Sequence, residues 1–184
     1  MRALQSIGMG FVLLVLITPI GGYDVLADPI GWLLVLHGLR GLPDLPLGTA
    51  VRCLAVLAAI VSVPLWVPAV VEALEAADES IAWAVNLPQF GFVAVLSLAL
   101  SRAALQAGAR GPAAWWRTTF LGAVAVIVLP VLVFGGGVDS LEDTAGIAVV
   151  AVPLAMIVLL FTYTGRSWTD ARNVEKEAKQ PGRS

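Results

Sequence analysis

Long apolar stretches alternate with short polar ones along most of this 184-residue chain. A helix of about 20 apolar residues crosses a hydrocarbon core of about 30 Å. Five stretches without acidic or basic residues are close to that length, and a further one is shorter. In chain order the six stretches are residues 3–23, 29–39, 53–71, 80–101, 118–138 and 144–165. The pattern therefore predicts an all-α, polytopic membrane helix bundle with about six transmembrane helices.

The short second stretch has two interpretations. It reaches roughly 15 residues if residues 25–27 join it, and Asp28 then lies inside it. An apolar run of about 10–14 residues can also enter and leave the membrane on one side. The prediction is therefore six spans, or five if residues 25–41 are re-entrant.

The charged residues separate by side when six spans are assumed. All eleven arginines and lysines then lie on one side of the membrane. The other side holds nine of the thirteen acidic residues, namely Asp24, Asp28, Glu72, Glu75, Asp78, Glu79, Asp139, Glu142 and Asp143. Because cytoplasmic loops are rich in arginine and lysine, both termini are predicted to be cytoplasmic. Without the second span everything after Arg40 would invert and this separation would be lost, which favours six spans over five.

The composition agrees with a membrane location. Hydrophobic residues make up 59% of the chain and charged residues 13%, whereas a soluble domain is about 45–50% apolar and about 25% charged. We therefore predict a multi-pass protein of the bacterial cytoplasmic (inner) membrane. Residues 1–165 would form a single transmembrane domain and residues 166–184 a short cytoplasmic tail. The first stretch is predicted to be retained, because no clear small-x-small cleavage site follows it.

The order of cation, span, acid, span and cation occurs three times along the chain. This order predicts three helical hairpin units. The last two units also share a V-x-x-L-E pattern, in "VEALE" at residues 71–75 and in "VDSLE" at residues 138–142. Since any hairpin that obeys the charge rule shows the same order, an internal duplication stays one of two interpretations.

Two aspartates stand between the first two stretches, in "GGYDVLADPIGWLLVLHGLRGL" at residues 21–42. Asp28 directly precedes Pro29, an order typical of a helix N-cap followed by proline at the first helical position. Asp24 would then lie in the outer turn. The alternative is a proton or cation site, because an acid at membrane depth is costly and usually functional.

This stretch also resembles a known pattern. The sequence D-x-L-P-D-x-I-G-Y, followed by a short apolar helix, recurs in small uncharacterised bacterial multi-pass membrane proteins. The matching positions are Asp24, Leu26, Asp28, Ile30, Gly31 and Trp32. Ala27 replaces the proline of the pattern, and Pro29 follows two places later. The resemblance covers residues 24–42 and implies a membrane location without an assigned activity.

Three further polar residues fall inside the predicted spans and complete a candidate intramembrane site with Asp24 and Asp28. His37 lies in the inner half of the second span, where an imidazole could carry protons or bond a carbonyl. Gln89 lies near the middle of the fourth span, with Asn86 one turn outward on the same face. Such amides bond across helices or contact a substrate.

Three classes of function remain. The first is a non-enzymatic membrane protein that acts through partner helices or lipid. The second is a small transporter or channel that uses Asp28, Gln89 and His37. The third, an intramembrane enzyme, ranks last, because one histidine and one cysteine leave few catalytic groups. Transport needs a continuous polar path, and the inner half offers little beyond His37 and Ser97, so the first class is preferred. The expected partners are the lipid bilayer and other membrane proteins or further copies of the chain; no cofactor, metal or nucleic acid is expected.

Overall fold

The computed structural model describes residues 2–15, 19–20, 23–24, 28–76, 79–132, 136 and 142–166. Within them lie seven helices: α1 (Ala3–Val15), α2 (Asp28–Leu39), α3 (Gly48–Leu65), α4 (Pro68–Glu75), α5 (Glu79–Gln106), α6 (Arg110–Pro130) and α7 (Glu142–Thr162). Two-residue strands β1 (Pro19–Ile20) and β2 (Tyr23–Asp24) pair antiparallel between α1 and α2. The prediction of a helical bundle is confirmed at this level.

Six of these helices form a closed ring. In the order α1, α2, α3, α5, α6 and α7, each helix contacts the next, and α7 returns to α1. Neighbours run antiparallel: Gly10 of α1 meets Gly31 of α2, whereas Ala3 meets Gly38. At the closure of the ring, Gly8 of α1 meets Phe161 of α7. The short helix α4 lies between α3 and α5 and contacts both.

This alternation collects like charges at the same end of the bundle. The N-terminal ends of α1, α3 and α6 lie beside the C-terminal ends of α2, α5 and α7. Here we call this the basic end; its described cations are Arg2, Arg40, Arg52, Arg102, Arg110, Arg117 and Arg166. The opposite end, which carries β1, β2, α4 and the start of α5, is called the acidic end.

The helices begin and end at other residues than the charge-free stretches do. Helix α1 is described as far as Val15, and β1 follows at Pro19–Ile20, so residues 3–23 do not form one helix as predicted. Pro19 supplies no amide hydrogen to a helix and sits instead in β1. At the basic end the opposite error occurs. Helix α6 begins at Arg110, eight residues before the predicted residue 118, because exposed arginines continue a helix readily where it leaves the membrane.

Helix α3 is also displaced from its predicted stretch of residues 53–71. It includes Arg52 and ends at Leu65, and α4 follows as a separate helix. The break falls at Val67, which is extended (φ −89°, ψ 117°) because Pro68 follows it.

Three of the described helical segments are long and apolar enough to cross a membrane: Gly48–Leu65, Trp83–Gln106 and Arg110–Pro130. Three further apolar segments are shorter, namely Ala3–Val15, Pro29–Leu39 and Gly146–Thr162. The length and composition of these described helices therefore support a membrane location.

The centre of the ring is filled by large apolar side chains. Those that are almost fully buried include Leu4, Ile7, Phe11, Trp32, Phe92, Leu96, Leu100, Trp116, Met156 and Leu160. On α1 the buried Leu4, Ile7 and Phe11 recur at spacings of three and four residues, the spacing of one helix face, and on α2 Trp32, Val35 and Leu39 do the same. Trp116 belongs to this core, whereas its neighbour Trp115 does not. Successive helix residues point about 100° apart, so Trp115 is 60% exposed while Trp116 is buried against Tyr163.

Candidate polar cleft at the acidic end

Of the predicted polar residues whose side chains the structure describes, Asn86 and Gln89 lie together and His37 lies apart from them. His37 is exposed in the last turn of α2, near the basic end. It lies nine positions after Asp28, the first residue of that helix, which is a rise of about 13 Å along the helix axis. Hence His37 does not join Asn86 and Gln89, which lie on α5 toward the acidic end.

The two aspartates are described only through their backbone. Asp24 is the last residue of β2, where it pairs with Pro19, and Asp28 is the first residue of α2. Their side chains lie outside what the structure describes. The helix start agrees with the expected order of Asp28 and Pro29 to within one residue, and the capping role of Asp28 stays a prediction.

Asn86 and Gln89 do share a small cleft between α2, α3 and α5. The cleft encloses about 20 Å³, which is room for about one water molecule. It is lined by Trp32, Ala58, Val61, Ser62, Leu65, Val85, Asn86, Pro88 and Gln89. None of these nine side chains is ionisable, so the cleft offers hydroxyl and amide groups and no acid or base.

The polar groups of the cleft differ in exposure. Ser62 is buried, and its hydroxyl donates a 2.8 Å hydrogen bond to the carbonyl oxygen of Ala59 one turn earlier. The amide of Gln89 is half-buried, and that of Asn86 is exposed. The cleft can therefore hold a water or a small neutral polar group beside the amide of Gln89.

A proline on each of two helices removes a main-chain hydrogen bond beside the cleft. Pro88 lies within α5 and lines the cleft, and Pro64 lies within α3 next to the lining residue Leu65. A proline has no amide hydrogen, so the carbonyl four residues earlier lacks its usual helical donor. For Pro88 this is the carbonyl of Ala84. A freed carbonyl in a membrane helix is satisfied by a neighbouring group or by water, and the cleft beside Pro88 has room for about one water molecule.

Three aromatic rings close the cleft toward the basic end. Trp32, 1% exposed, lines the cleft and packs edge-on against Phe92, with ring centroids 5.3 Å apart. Phe11 stacks on Phe92 at 5.8 Å and meets Trp32 at 6.3 Å. Below them the buried hydroxyl of Ser97 has the sulfur of Met156 as its partner, at 3.7 Å. The cleft is therefore a shallow pocket above an apolar floor.

Comparison with known protein families, with curated proteins and with solved structures finds no match to this chain. The resemblance of residues 24–42 to small bacterial membrane proteins thus stands on its motif alone.

Sequence reasoning missed the role of Trp32 in this region. Its ring was expected only as part of the motif, yet it forms both a wall of the cleft and a third of the aromatic floor. The available signal was the spacing of Trp32, Val35 and Leu39, which places all three on one buried face of α2. Ser62 and Ser97 are both buried.

Proposed function

We propose that this chain is a six-span protein of the bacterial cytoplasmic membrane that acts, without catalysis, through contacts with partner helices or lipid. Residues 1–165 form its transmembrane domain, and residues 166–184 form a cytoplasmic tail. Both termini are cytoplasmic in this proposal.

The alternation of helix directions supports the six spans. In a ring of six antiparallel neighbours, successive helices lead from one end of the bundle to the other and back. The basic end gathers seven arginines, and the only acidic residue described there is Asp44. Since cations are retained on the cytoplasmic side, the basic end is the cytoplasmic one.

The first hairpin, α1 with α2, is shorter than the hydrocarbon core, so the six-span topology requires the bilayer to adapt to it. Helices α1 and α2, with 13 and 12 residues, extend about 20 Å and 18 Å. A span shorter than the hydrocarbon core is accommodated by local thinning of the bilayer. The hairpin is packed against longer helices on both sides, α3 and α7, which hold it in the ring.

The apolar centre of the bundle is the observation that carries the proposal. A transporter or channel needs polar groups along its path, whereas the fully buried side chains between the aromatic floor and the basic end are mostly apolar, among them Leu96, Leu100, Met156 and Leu160. The exception is Ser97, whose hydroxyl has the sulfur of Met156 as its partner. Ser101, nearer the basic end, donates its hydroxyl at 2.9 Å to the carbonyl of Ala113 on α6. The described buried hydroxyls there already donate to other groups of the protein.

The outward faces of the bundle support a role in lipid or helix contacts. On α3 the exposed side chains include Val56, Leu57, Ile60 and Val63. On α7 they include Ile147, Val150, Leu154 and Val158. In each set the spacing is that of one helix face, so the exposed residues form an apolar stripe suited to acyl chains or to another transmembrane helix.

A cysteine at the centre of the bundle tests this proposal. Cys53 is exposed and is first replaced by alanine. Ser97→Cys then places a thiol in the core with little change of volume, and Ala107→Cys places a matched thiol in the exposed connection after α5. We expect a membrane-impermeant thiol reagent, applied to both sides of the membrane, to modify Ala107→Cys and to leave Ser97→Cys unreacted until the protein is denatured. Reaction of both thiols at similar rates would reveal a water path through the bundle. It would favour the alternative function, a small transporter or channel with a site near Asp28.

A further inference from the structure

Three arginines gather where α5 meets α6 at the basic end. The bond from the Ser101 hydroxyl to the Ala113 carbonyl fixes this contact at 2.9 Å. Arg102 follows Ser101 directly, and Arg110 and Arg117 lie three and four residues from Ala113 along α6. All three arginines are exposed. Among the residues that the structure describes, no carboxylate forms an ion pair with any of them.

Two of these arginines begin a stripe that runs along the outside of α6. Residues seven, eleven and eighteen positions apart lie close to one line on a helix. Arg110, Arg117, Leu121 and Val128 have these spacings. All four are exposed, with Leu121 and Val128 among the most exposed large apolar residues of α6. The stripe therefore has two cations at the basic end and apolar side chains over the next three turns.

Trp115 marks the height along α6 at which the arginines of the stripe give way to apolar side chains. Its ring is 60% exposed and lies two residues before Arg117. Exposed tryptophans concentrate at the height of lipid headgroups. The guanidinium groups of Arg110 and Arg117 then lie among headgroup phosphates, and Leu121 and Val128 lie beside acyl chains.

We propose that the α6 stripe, with Arg102 beside it, binds one anionic phospholipid of the cytoplasmic leaflet. Guanidinium groups pair with phosphate oxygens in a bidentate geometry that lysine does not reproduce. The lipid phosphate would lie between Arg110 and Arg117, and an acyl chain would follow Leu121 and Val128. The inference rests on the proposed membrane location, and it adds the class of lipid and the place where that lipid binds.

Native mass spectrometry of the full chain in a non-ionic detergent tests this binding. The probes are phosphatidylglycerol and phosphatidylcholine with identical acyl chains. We expect tighter binding of phosphatidylglycerol to the parent protein. Since each arginine near an anionic headgroup contributes about fivefold in affinity, Arg110→Gln with Arg117→Gln should weaken that binding about thirtyfold. Each single variant should weaken it about fivefold, which keeps the test usable if the double variant fails to fold.

The matched control removes two other exposed arginines from the same end, as Arg40→Gln with Arg52→Gln. This control should retain most of the affinity of the parent. An equal loss in both double variants would contradict a defined site, as would equal binding of the two lipids by the parent. Displacement of the bound lipid by millimolar glycerol phosphate would assign the arginines to a soluble anion and would also overturn the proposal. Because binding is measured in detergent, its outcome is independent of the orientation of the chain in the cell, so a failure of the six-span topology is distinguished from a failure of this site.

Discussion

The two sides of α2 differ in how closely their neighbours approach. Toward α1, a Cβ atom built on Gly10 would lie 2.5 Å from the carbonyl oxygen of Gly31, and one on Gly38 would lie 2.8 Å from that of Ala3. Toward α3 and α5, the same helix leaves a cleft of about 20 Å³ beside Trp32. One helix thus forms a seam without room for a methyl group on one side, and a pocket for about one water on the other.

The difference shows what holds a short membrane hairpin together. In a bilayer, helices associate through close packing and interhelical hydrogen bonds, because lipid tails are as apolar as the side chains they replace. Helices α1 and α2 are short and use glycines to bring their backbones together, and Ser6 adds a 2.9 Å bond to the Leu34 carbonyl. Helices α3 and α5 are longer and tolerate a gap beside their prolines. We therefore expect substitutions in the seam to be costly and substitutions in the cleft to be mild.

Trp32→Ala should have the largest effect, since this side chain belongs to both regions. The substitution would remove a ring that contacts Phe11 and Phe92. The space left by the ring would then be continuous with the cleft. Loss of a buried aromatic residue costs about 3–5 kcal/mol of unfolding free energy. Trp115→Ala, at an exposed position, is the matched control and should change stability little. Thermal unfolding in detergent measures both, and equal melting temperatures would contradict the central place of Trp32.

Gly10→Ala should destabilise the seam by about 1–3 kcal/mol, the usual range for an overpacked contact. The added methyl must displace the backbone of α2, because the nearest atom is the Gly31 carbonyl oxygen. Gly146→Ala in α7 makes the same chemical change where no atom lies within 4 Å. There the helix should gain about 0.5–1 kcal/mol, since alanine is the better helix former. If both alanine variants were stabilised alike, the seam would be looser than described.

Substitutions of Asp28 test the start of α2, where the seam and the cleft both end. As a helix cap, Asp28→Ala should lower stability by about 1 kcal/mol, whereas Asp28→Asn should behave like the parent because asparagine caps equally well. Chemical or thermal unfolding of the two variants separates these outcomes. A stable Asp28→Asn protein that fails to restore the phenotype of a deletion strain would favour the proton or cation site instead.

The smallest expected changes in stability come from removing either of two buried hydroxyls, those of Ser6 and Ser62. Ser6 bonds across the seam to another helix, while Ser62 bonds to a carbonyl of its own helix beside the cleft. An interhelical hydrogen bond in a membrane protein is worth about 0.6 kcal/mol, so Ser6→Ala should lower the melting temperature slightly. Ser62→Ala should lower it less, and the reverse order would remove the distinction between the two sides of α2.

The sequence predicted the architecture better than the helix ends. Apolar stretches and the sorting of Arg and Asp or Glu residues indicated helices that alternate in direction, and the ring has this arrangement. Helix ends do not coincide with the ends of the charge-free stretches, because Arg52, Arg102, Arg110 and Arg117 all lie within helices. An arginine at the end of a span keeps its head in water while the helix continues.

The cleft was harder to anticipate than the bundle. The shared face of Asn86 and Gln89 follows from their spacing, but the partners across the cleft come from α2 and α3. Which residues of different helices meet depends on packing that one sequence does not state. The separation of His37 from this cleft could be deduced, since nine residues of helix place it near the opposite end from Asp28.

The side of the membrane on which each end of the bundle lies is the most direct test of the central claim. In a chain with Cys53 replaced by alanine, Ala76→Cys marks the acidic end after α4, and Ala107→Cys marks the basic end after α5; both positions are exposed. An impermeant thiol reagent added to intact cells whose outer membrane admits it should label Ala76→Cys, and should label Ala107→Cys only after the inner membrane is opened. Labelling of Ala107→Cys in intact cells would contradict the six-span topology and the cytoplasmic assignment of the basic end.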